Sequence, residues 1–448
     1  PTPTLTPTPA ATPAPPIPPH TAPDTTILLS DTLNGTPQPF PMPTALPTVD
    51  LPAGTINIVL LGADQEDIGQ GGYRTDVITI VSINPEGPAV NMLSVPRDFY
   101  VWVPGHGFDR INMAYNRGHS SSYPGGGPGL IKATIEYNLG IPIHYYALVD
   151  FGGFVRIVDT LGGVNVPVEC ELHDTFPSPG DPTQGVDIDL YPGIQHLDGY
   201  PALWYVRSRW STHDFDRNRR QQQMLRALYR QALDLNILPR IPELWGAIQQ
   251  TVQTDLGLNE MVYLSWVGSR LDWANVKSRF ISSAYVTYYL TSSGAQVLLP
   301  IPDAIPPVVA EAMRPPAAGR ANQPPFRVEI VDGTGRPGMA EVAAERLRWE
   351  GFAVVGISPA DQVYPRTQIV DFTTTSKGSP LWLLTRLYSR EAEDIVPQPT
   401  EGSPVEFRIL LGADYDSCVS TSAIQYVPAP VVTPVSYTHL TLPTIYSV

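Results

Sequence analysis

Residues 56–98 read INIVLLGADQEDIGQGGYRTDVITIVSINPEGPAVNMLSVPRD. Three runs inside this stretch, Ile56 to Leu61, Val77 to Ile83 and Ala89 to Val95, have strand length, are rich in Val and Ile, and are bounded by Gly or Asn-Pro turns. Further strands are expected at Ile143 to Val149, Val164 to Val168 and Asp187 to Leu190. Helical patterns fall at Leu130 to Leu139, Phe154 to Leu161, Arg217 to Leu233, Pro242 to Val252 and Asn259 to Leu271. The mixture predicts an α/β (α+β) domain over residues 55–314.

Composition sets the limits on either side. Sixteen of the 50 prolines lie in the first 52 residues, which carry only three ionised groups, Asp24, Asp31 and Asp50. Such a segment buries too little apolar surface to offset its ordering entropy, so residues 1–54 read as an extended, PPII-like linker. Residues 315–325 (PPAAGRANQPP) read as a second linker. Beyond it, residues 326–415 carry a β-α-β-β-α-β order that suits a small independent domain. Residues 416–448 read as a disordered tail ending in SYTHLTLPTIYSV, a string that resembles a translated sequencing adapter. The chain starts with Pro1 and has no run of 18 apolar residues, so it reads as a fragment whose own N-terminus is missing. Cys170 and Cys418 make no disulfide framework and no metal motif.

The net charge of −15 argues against a nucleic-acid partner. The basic side chains are 25 Arg and three Lys, and seven of the Arg fall between Arg207 and Arg230. Arg presents a planar fork of donors that suits phosphate oxygens. In YVRSR, Arg207 and Arg209 are two apart, which in an extended stretch puts both on one side. On the helix that follows, at about 100° per residue, Arg217, Arg220, Gln221, Met224 and Leu228 share one stripe. That stripe runs from cationic to apolar and matches an amphiphile with an anionic head. Arg219, Arg226 and Arg230 fall opposite and read as a solvated face.

Carboxylates collect near strand ends. Asp64 closes one strand and Asp76, in Arg74-Thr75-Asp76, opens the next, so a hairpin-like return could bring together two carboxylates of the kind that hold Mg²⁺. Turn chemistry explains the same positions equally well. Arg97 and Asp98 follow a third strand, and Asp109-Arg110-Ile111-Asn112 is a weaker signal. The Gly-rich runs at 69–72 and 124–129 fit no phosphate-loop spacing and read as flexible connections.

In order along the chain, INIVLLGAD, RTDVITIVSINP, LSVPRDFYV, RINMAY, LGIPIHYYALVDFGGFVRIVDTLGGVNV, GIQHLDGYPALWYVRSR and FDRNRRQQQ resemble the LytR-CpsA-Psr family over residues 56–314. VEIVDGTGRPGMAEVAAERLRWEGF and RILLGAD likewise resemble the LytR C-terminal domain. The resemblance implies a central mixed sheet flanked by helices, with an apolar tunnel for lipid. It implies an extracytoplasmic enzyme anchored by an N-terminal transmembrane helix. Such an enzyme transfers a phosphoglycan from a polyprenyl-diphosphate carrier to a cell-wall hydroxyl, typically C6 of N-acetylmuramic acid. Carried over, Asp64 and Asp76 match the carboxylates for Mg²⁺ (or Mn²⁺). Arg74, Arg97, Arg110, Arg207, Arg209, Arg217 and Gln221 match positions that hold or polarise the diphosphate, with Arg220 nearby. Of these, Arg97, Arg207, Arg209 and Asp76 are the expected catalytic groups, with Asp76 or Asp98 as a candidate base. The chain departs from the pattern in lacking the anchor, in Asp216 where Gly is frequent, and in Arg110 where Lys is frequent. Two other activities share these residues: a polyprenyl-diphosphate phosphohydrolase with water as acceptor, and a non-catalytic lipid-binding wall scaffold.

Overall fold

The computed structural model describes residues 32–33, 36–37, 40–65, 73–178, 181–208, 214–272, 275–314, 325–374 and 378–418. Arg209, the run at 69–72, the linker expected at 315–325 up to residue 324, the tail from residue 419 and most of residues 1–39 lie outside the described residues.

Strands β1 (Ile56–Ala63), β2 (Thr75–Asn84) and β3 (Ala89–Ser94) form an antiparallel meander. A hairpin of β4 (Tyr100–Val103) and β5 (Gly107–Arg110) follows, then helix α1 (Gly126–Leu139) and strand β6 (Tyr145–Val149). Next come α2 (Phe151–Thr160), β7 (Val164–Val168), the hairpin β8 (Leu172–Ser178) and β9 (Asp181–Leu190), and β10 (Gly193–Leu197). Helices α3 (Gly199–Arg207) and α4 (Asp214–Asp234) precede β11 (Gln253–Thr254), α5 (Leu258–Gly268), β12 (Val276–Phe280) and α6 (Ile305–Met313). The central sheet has the order β11-β6-β1-β2-β3-β12, with β1–β6 and β3–β12 parallel and the other pairs antiparallel. This is the mixed sheet flanked by helices that the family resemblance implies.

The two sheet faces differ. Alternate side chains point to opposite sides of a strand, so Val59, Leu61, Ile78, Ile80 and Leu93 share one face. They are buried in one cluster with Leu130, Ile131 and Ile135 of α1 and Val308, Val309 and Ala312 of α6. On the other face Ile58 and Tyr145 pack with Leu256, Tyr263 and Val267 at α5. Between α5 and α4, Leu60, Val77, Val81, Ala147 and Val149 remain half-buried. Helix α4 covers the far edge of this face, where the buried Gln222 Nε2 donates to Ser94 Oγ (2.8 Å) and to the Arg279 carbonyl (3.0 Å).

The C-terminal unit contains β13 (Arg327–Asp332), α7 (Met339–Trp349), β14 (Ala353–Pro359), β15 (Gln368–Asp371), α8 (Gly378–Leu387), β16 (Ile395–Pro397) and β17 (Phe407–Leu411). Its sheet order is β14-β13-β17-β15-β16, one short strand more than the sequence pattern predicts. Val328, Ile330 and Ile409 pack against Ala343, Leu347 and Leu384 in a core of its own.

Four expectations need correction. Residues 40–54 are not a free linker: Leu46, Val49 and Leu51 pack on the main core, and their backbone bonds to α1 (Leu46 N to Tyr137 O, 3.0 Å; Val49 N to Gly140 O, 2.8 Å). The Gly-rich run at 124–129 starts α1 instead of forming a flexible connection. At Gly127 an added Cβ would lie 2.7 Å from the Tyr115 ring, so only glycine permits that contact. Cys170 and Cys418 form a disulfide that joins the two units. Arg219 and Arg226 are 6% exposed and face the C-terminal unit, not water. Among the described residues, no helix is long and apolar enough to cross a membrane.

Candidate active site

The carboxyl ends of β1, β3 and β6 and the start of β2 meet at one end of the central sheet. Gly62 pairs with Val77 but Ala63 pairs with Thr75, so Asp76 is the extra residue of a β-bulge. Bulges re-aim side chains and are frequent beside active sites. Here the bulge gives Asp76 two partners from other segments. Arg97, in the turn after β3, donates to Asp76 Oδ2, and Asn112 Nδ2 donates to Asp76 Oδ1 at 3.0 Å.

The arginines and carboxylates then alternate. Arg97 Nε reaches Asp98 Oδ2 at 3.2 Å, and Arg110, at the end of β5, reaches Asp98 Oδ1 at 3.3 Å. Burial pushes the Asp76 carboxyl pKa up, but Arg97, the Asn112 hydrogen bond and the charge of Arg217 outweigh it and hold the pKa below its ordinary value. That influence puts Arg217, in the first turns of α4, within electrostatic reach of Asp76.

Asp64 lies just past β1 and is engaged by Arg74 alone among the residues above. Arg74 donates its backbone N–H to Oδ1 (2.7 Å) and its Nε to Oδ2 (2.8 Å). The two carboxylates therefore sit on adjacent strand ends, each held by its own arginine. Among the described residues, no group of three or more His, Cys, Asp or Glu side chains gathers closely enough to hold a metal ion.

The remaining sequence-predicted residues divide into two groups. Arg207 ends α3, and its guanidinium lies 4.1 Å from the Phe151 ring centroid, at the start of α2 beside the β6 end. The YVRSR stretch is thus helical through Arg207, not extended. Arg220 is buried and donates from Nε to the Tyr205 carbonyl (3.0 Å) and from Nη2 to the Ser208 carbonyl. It braces the α3–α4 turn from behind. Gln221 Nε2 donates to the Val206 carbonyl at 3.4 Å, in the same bracing layer. Asn112, Phe151 and Gln222 escaped the sequence reading as site residues. Asn112 alone had a signal, its place beside Asp109 and Arg110.

A family model described as the LytR_cpsA_psr family matches residues 38–295, and one described as LytR cell envelope-related transcriptional attenuator matches residues 326–415. The regulatory protein MsrR of Staphylococcus aureus (strain COL) is 35% identical over 204 residues, which is 45% of this chain and 57% of that protein. A polyisoprenyl-teichoic acid–peptidoglycan teichoic acid transferase, TagU of Oceanobacillus iheyensis, is 35% identical over 219 residues, 48% of this chain and 64% of that protein. The chain thus spans about three fifths of the length of these curated relatives. Among solved structures, that of TagV from B. subtilis aligns at 25% identity with a TM-score of 0.49, covering 59% of this chain and 98% of that one.

Proposed function

This chain belongs to the LytR-CpsA-Psr family, and from that premise we propose that it moves a phosphoglycan from a polyprenyl-diphosphate carrier onto a cell-wall polymer. The observation that carries the reading is the string Asp76–Arg97–Asp98–Arg110 at the end of a sheet face whose middle is apolar and half-covered. An anionic head on a long hydrocarbon tail suits a polar end joined to an apolar run. The TagU relative is named for a polyisoprenyl-linked donor and a peptidoglycan acceptor. For this chain the acceptor hydroxyl at C6 of N-acetylmuramic acid is the finer proposal. The Cys170–Cys418 disulfide supports an extracytoplasmic, wall-facing setting, since such bonds persist in oxidising compartments.

In the proposed reaction the acceptor hydroxyl oxygen attacks the glycan-bearing phosphorus. The bridging P–O bond breaks, polyprenyl phosphate leaves, and the hydroxyl proton passes to a base. Arg97, Arg110 and Arg217, with Arg74, Arg207 and Arg209, would neutralise charge on the diphosphate as that bond breaks, and positioning plus electrostatics supply most of the catalysis in such chemistry. The lowered Asp76 pKa makes it a weak base at neutral pH, which favours an anchoring role for it. Asp64 and Asp76 suit Mg²⁺ or Mn²⁺, because two hard carboxylates on adjacent strands leave open positions for water and phosphate oxygens, and Asp76 is held ionised. Such an ion would supply further neutralisation of diphosphate charge.

The test is transfer by the purified chain from a lipid-linked glycan to peptidoglycan. Arg97→Ala should slow it by roughly 10²-fold, the usual loss for one charge-stabilising donor. A variant that keeps the full rate would remove Arg97 from the site. Release of phosphorylated glycan with no wall linkage would make water the acceptor.

A further inference from the structure

Helix α4 carries two sets of residues on opposite sides. Arg217, whose charge acts on Asp76, and Gln221, which reaches the Val206 carbonyl of α3, lie on one side, while Arg219, Arg226 and Arg230 face the C-terminal unit. Arg219 makes a bidentate pair with Glu169 (2.8 and 2.7 Å) in which both side chains are nearly inaccessible. The Trp349 indole, at the end of α7, meets two guanidinium groups of α4, with Arg219 5.0 Å and Arg226 4.6 Å from its centroid. It also stacks on Phe280 at the end of β12 (6.3 Å, interplanar 12°). Arg230 pairs with Glu345 one turn before Trp349.

The segment that carries Glu169 is fastened by the same unit. Ser417 Oγ donates to the Glu169 carbonyl at 2.7 Å, and the next residue, Cys170, is bonded to Cys418. Burial alone would raise the Glu169 pKa, but the charges of Arg219 and of Arg346 in α7 pull it below the ordinary value. The carboxylate is therefore shared between the two units.

We propose that the C-terminal unit is the back wall of the diphosphate site, with Trp349 and Glu169 as positioning residues that act through α4. The inference rests on the diphosphate reading above. The first turn of a helix lacks internal hydrogen-bond partners for its N–H groups and frays readily. Arg217 and Arg220 both lie within the first two turns of α4. The Glu169 and Trp349 contacts grip the opposite side of those same turns and of the two that follow. Fixing the helix there fixes the direction in which Arg217 points, without any C-terminal residue touching the ligand. Of the two cation–π contacts, the one to Arg219 is beside Arg217 in sequence and bears most directly on it.

The test uses the full chain, with farnesyl diphosphate and farnesol as probes in calorimetric titrations. Trp349→Ala should weaken farnesyl diphosphate binding roughly tenfold, as expected when a helix held by two cation–π contacts becomes free to fray. Farnesol, which has no diphosphate, should bind unchanged, and Trp349→Phe should restore most of the diphosphate affinity. A merely structural role for Trp349 would lower both affinities together, and that result overturns the proposal. Unchanged diphosphate binding in a folded Trp349→Ala protein, while Arg217→Ala loses it, also overturns it and leaves the diphosphate reading intact. If Arg217→Ala binds normally, the diphosphate reading itself fails. Should Trp349→Ala not fold, Arg230→Ala, at the outer edge of the seam, takes its place with the same two probes and an expected loss of about threefold. No selective loss in that variant would count against the proposal.

Discussion

Cutting the Cys170–Cys418 bond gives the sharpest test of how the two units hold together. The cysteines are 248 residues apart, so the bond closes a very long loop in the unfolded chain. The chain-entropy relation for a loop of that length gives about 5.5 kcal/mol of stabilisation at 25 °C. Cys418 is exposed and Cys170 half-buried, so a phosphine reductant can reach the bond in the folded protein. After reduction the Arg219, Trp349 and Ser417 contacts remain, and the units should stay docked in the absence of denaturant. Urea should then separate them. The oxidised protein is expected to unfold in one transition followed by tryptophan fluorescence and far-UV circular dichroism together. The reduced protein, or a Cys170→Ala/Cys418→Ala variant, should unfold at lower urea, with the two signals parting as the C-terminal unit melts on its own. A variant that unfolds in one coincident transition with a loss below about 1 kcal/mol would refute the loop-closure argument.

Three further outcomes follow from buried charge. Arg219→Ala strands the Glu169 carboxylate and should cost about 3–5 kcal/mol in urea titrations, whereas the apolar pair Arg219→Met/Glu169→Leu should recover most of that loss. The Glu136 carboxyl on α1 is raised by burial to about 7, so between its unfolded value of 4.5 and 7 the folded state holds a proton that the unfolded state has lost. Stability should fall with rising pH across that window, and Glu136→Gln should match the parent at pH 4.5 yet exceed it at pH 8 by about 1–2 kcal/mol, after discounting for partial exposure. Asp76 has the opposite sign: its folded pKa is depressed below 3.8, so its contribution is complete above that pH and lost as pH falls below it. Asp76→Asn should therefore flatten the acid limb of a stability profile measured between pH 5 and 2, and an unaltered limb would contradict the Arg97 and Asn112 assignment.

The central strands and α4 were legible because their signals are local. Val and Ile runs between turn residues located β1 to β3 within two residues at each end, and the 3.6-residue period located a helix from Arg217 to Leu233 within α4. The strand-end carboxylates were legible for the same reason. What failed was anything decided by distant partners. A helical wheel states that Arg219, Arg226 and Arg230 share a side, but the groups across from them, Glu169, Glu345 and Trp349, are far away in the chain. Charge on that side reads as solvation unless a second unit is known to dock there. The two cysteines were silent likewise, since two cysteines allow a single pairing but their positions, 248 residues apart, do not say whether they meet. By angle Arg220 shares a stripe with Arg217 and Gln221, yet the end of α3 folds under it and takes its donors.

The bulge at Asp76 makes the chemistry of this sheet a matter of parity. In an unbroken antiparallel ladder the residue opposite Ala63 would be Asp76, and its carboxylate would enter the packed side among Leu61 and Ile78. The supernumerary residue shifts Thr75 into that place, buried, and turns the aspartate out towards Arg97 and Asn112. A chain shortened by one residue between 74 and 76 could keep the pairing of 56–62 with 77–83, visible as undiminished amide protection, and still lose the proposed transfer activity. The number of residues ahead of Val77 in this strand therefore decides which side of the sheet Asp76 serves, a constraint on engineering that no comparison of side chains alone would reveal.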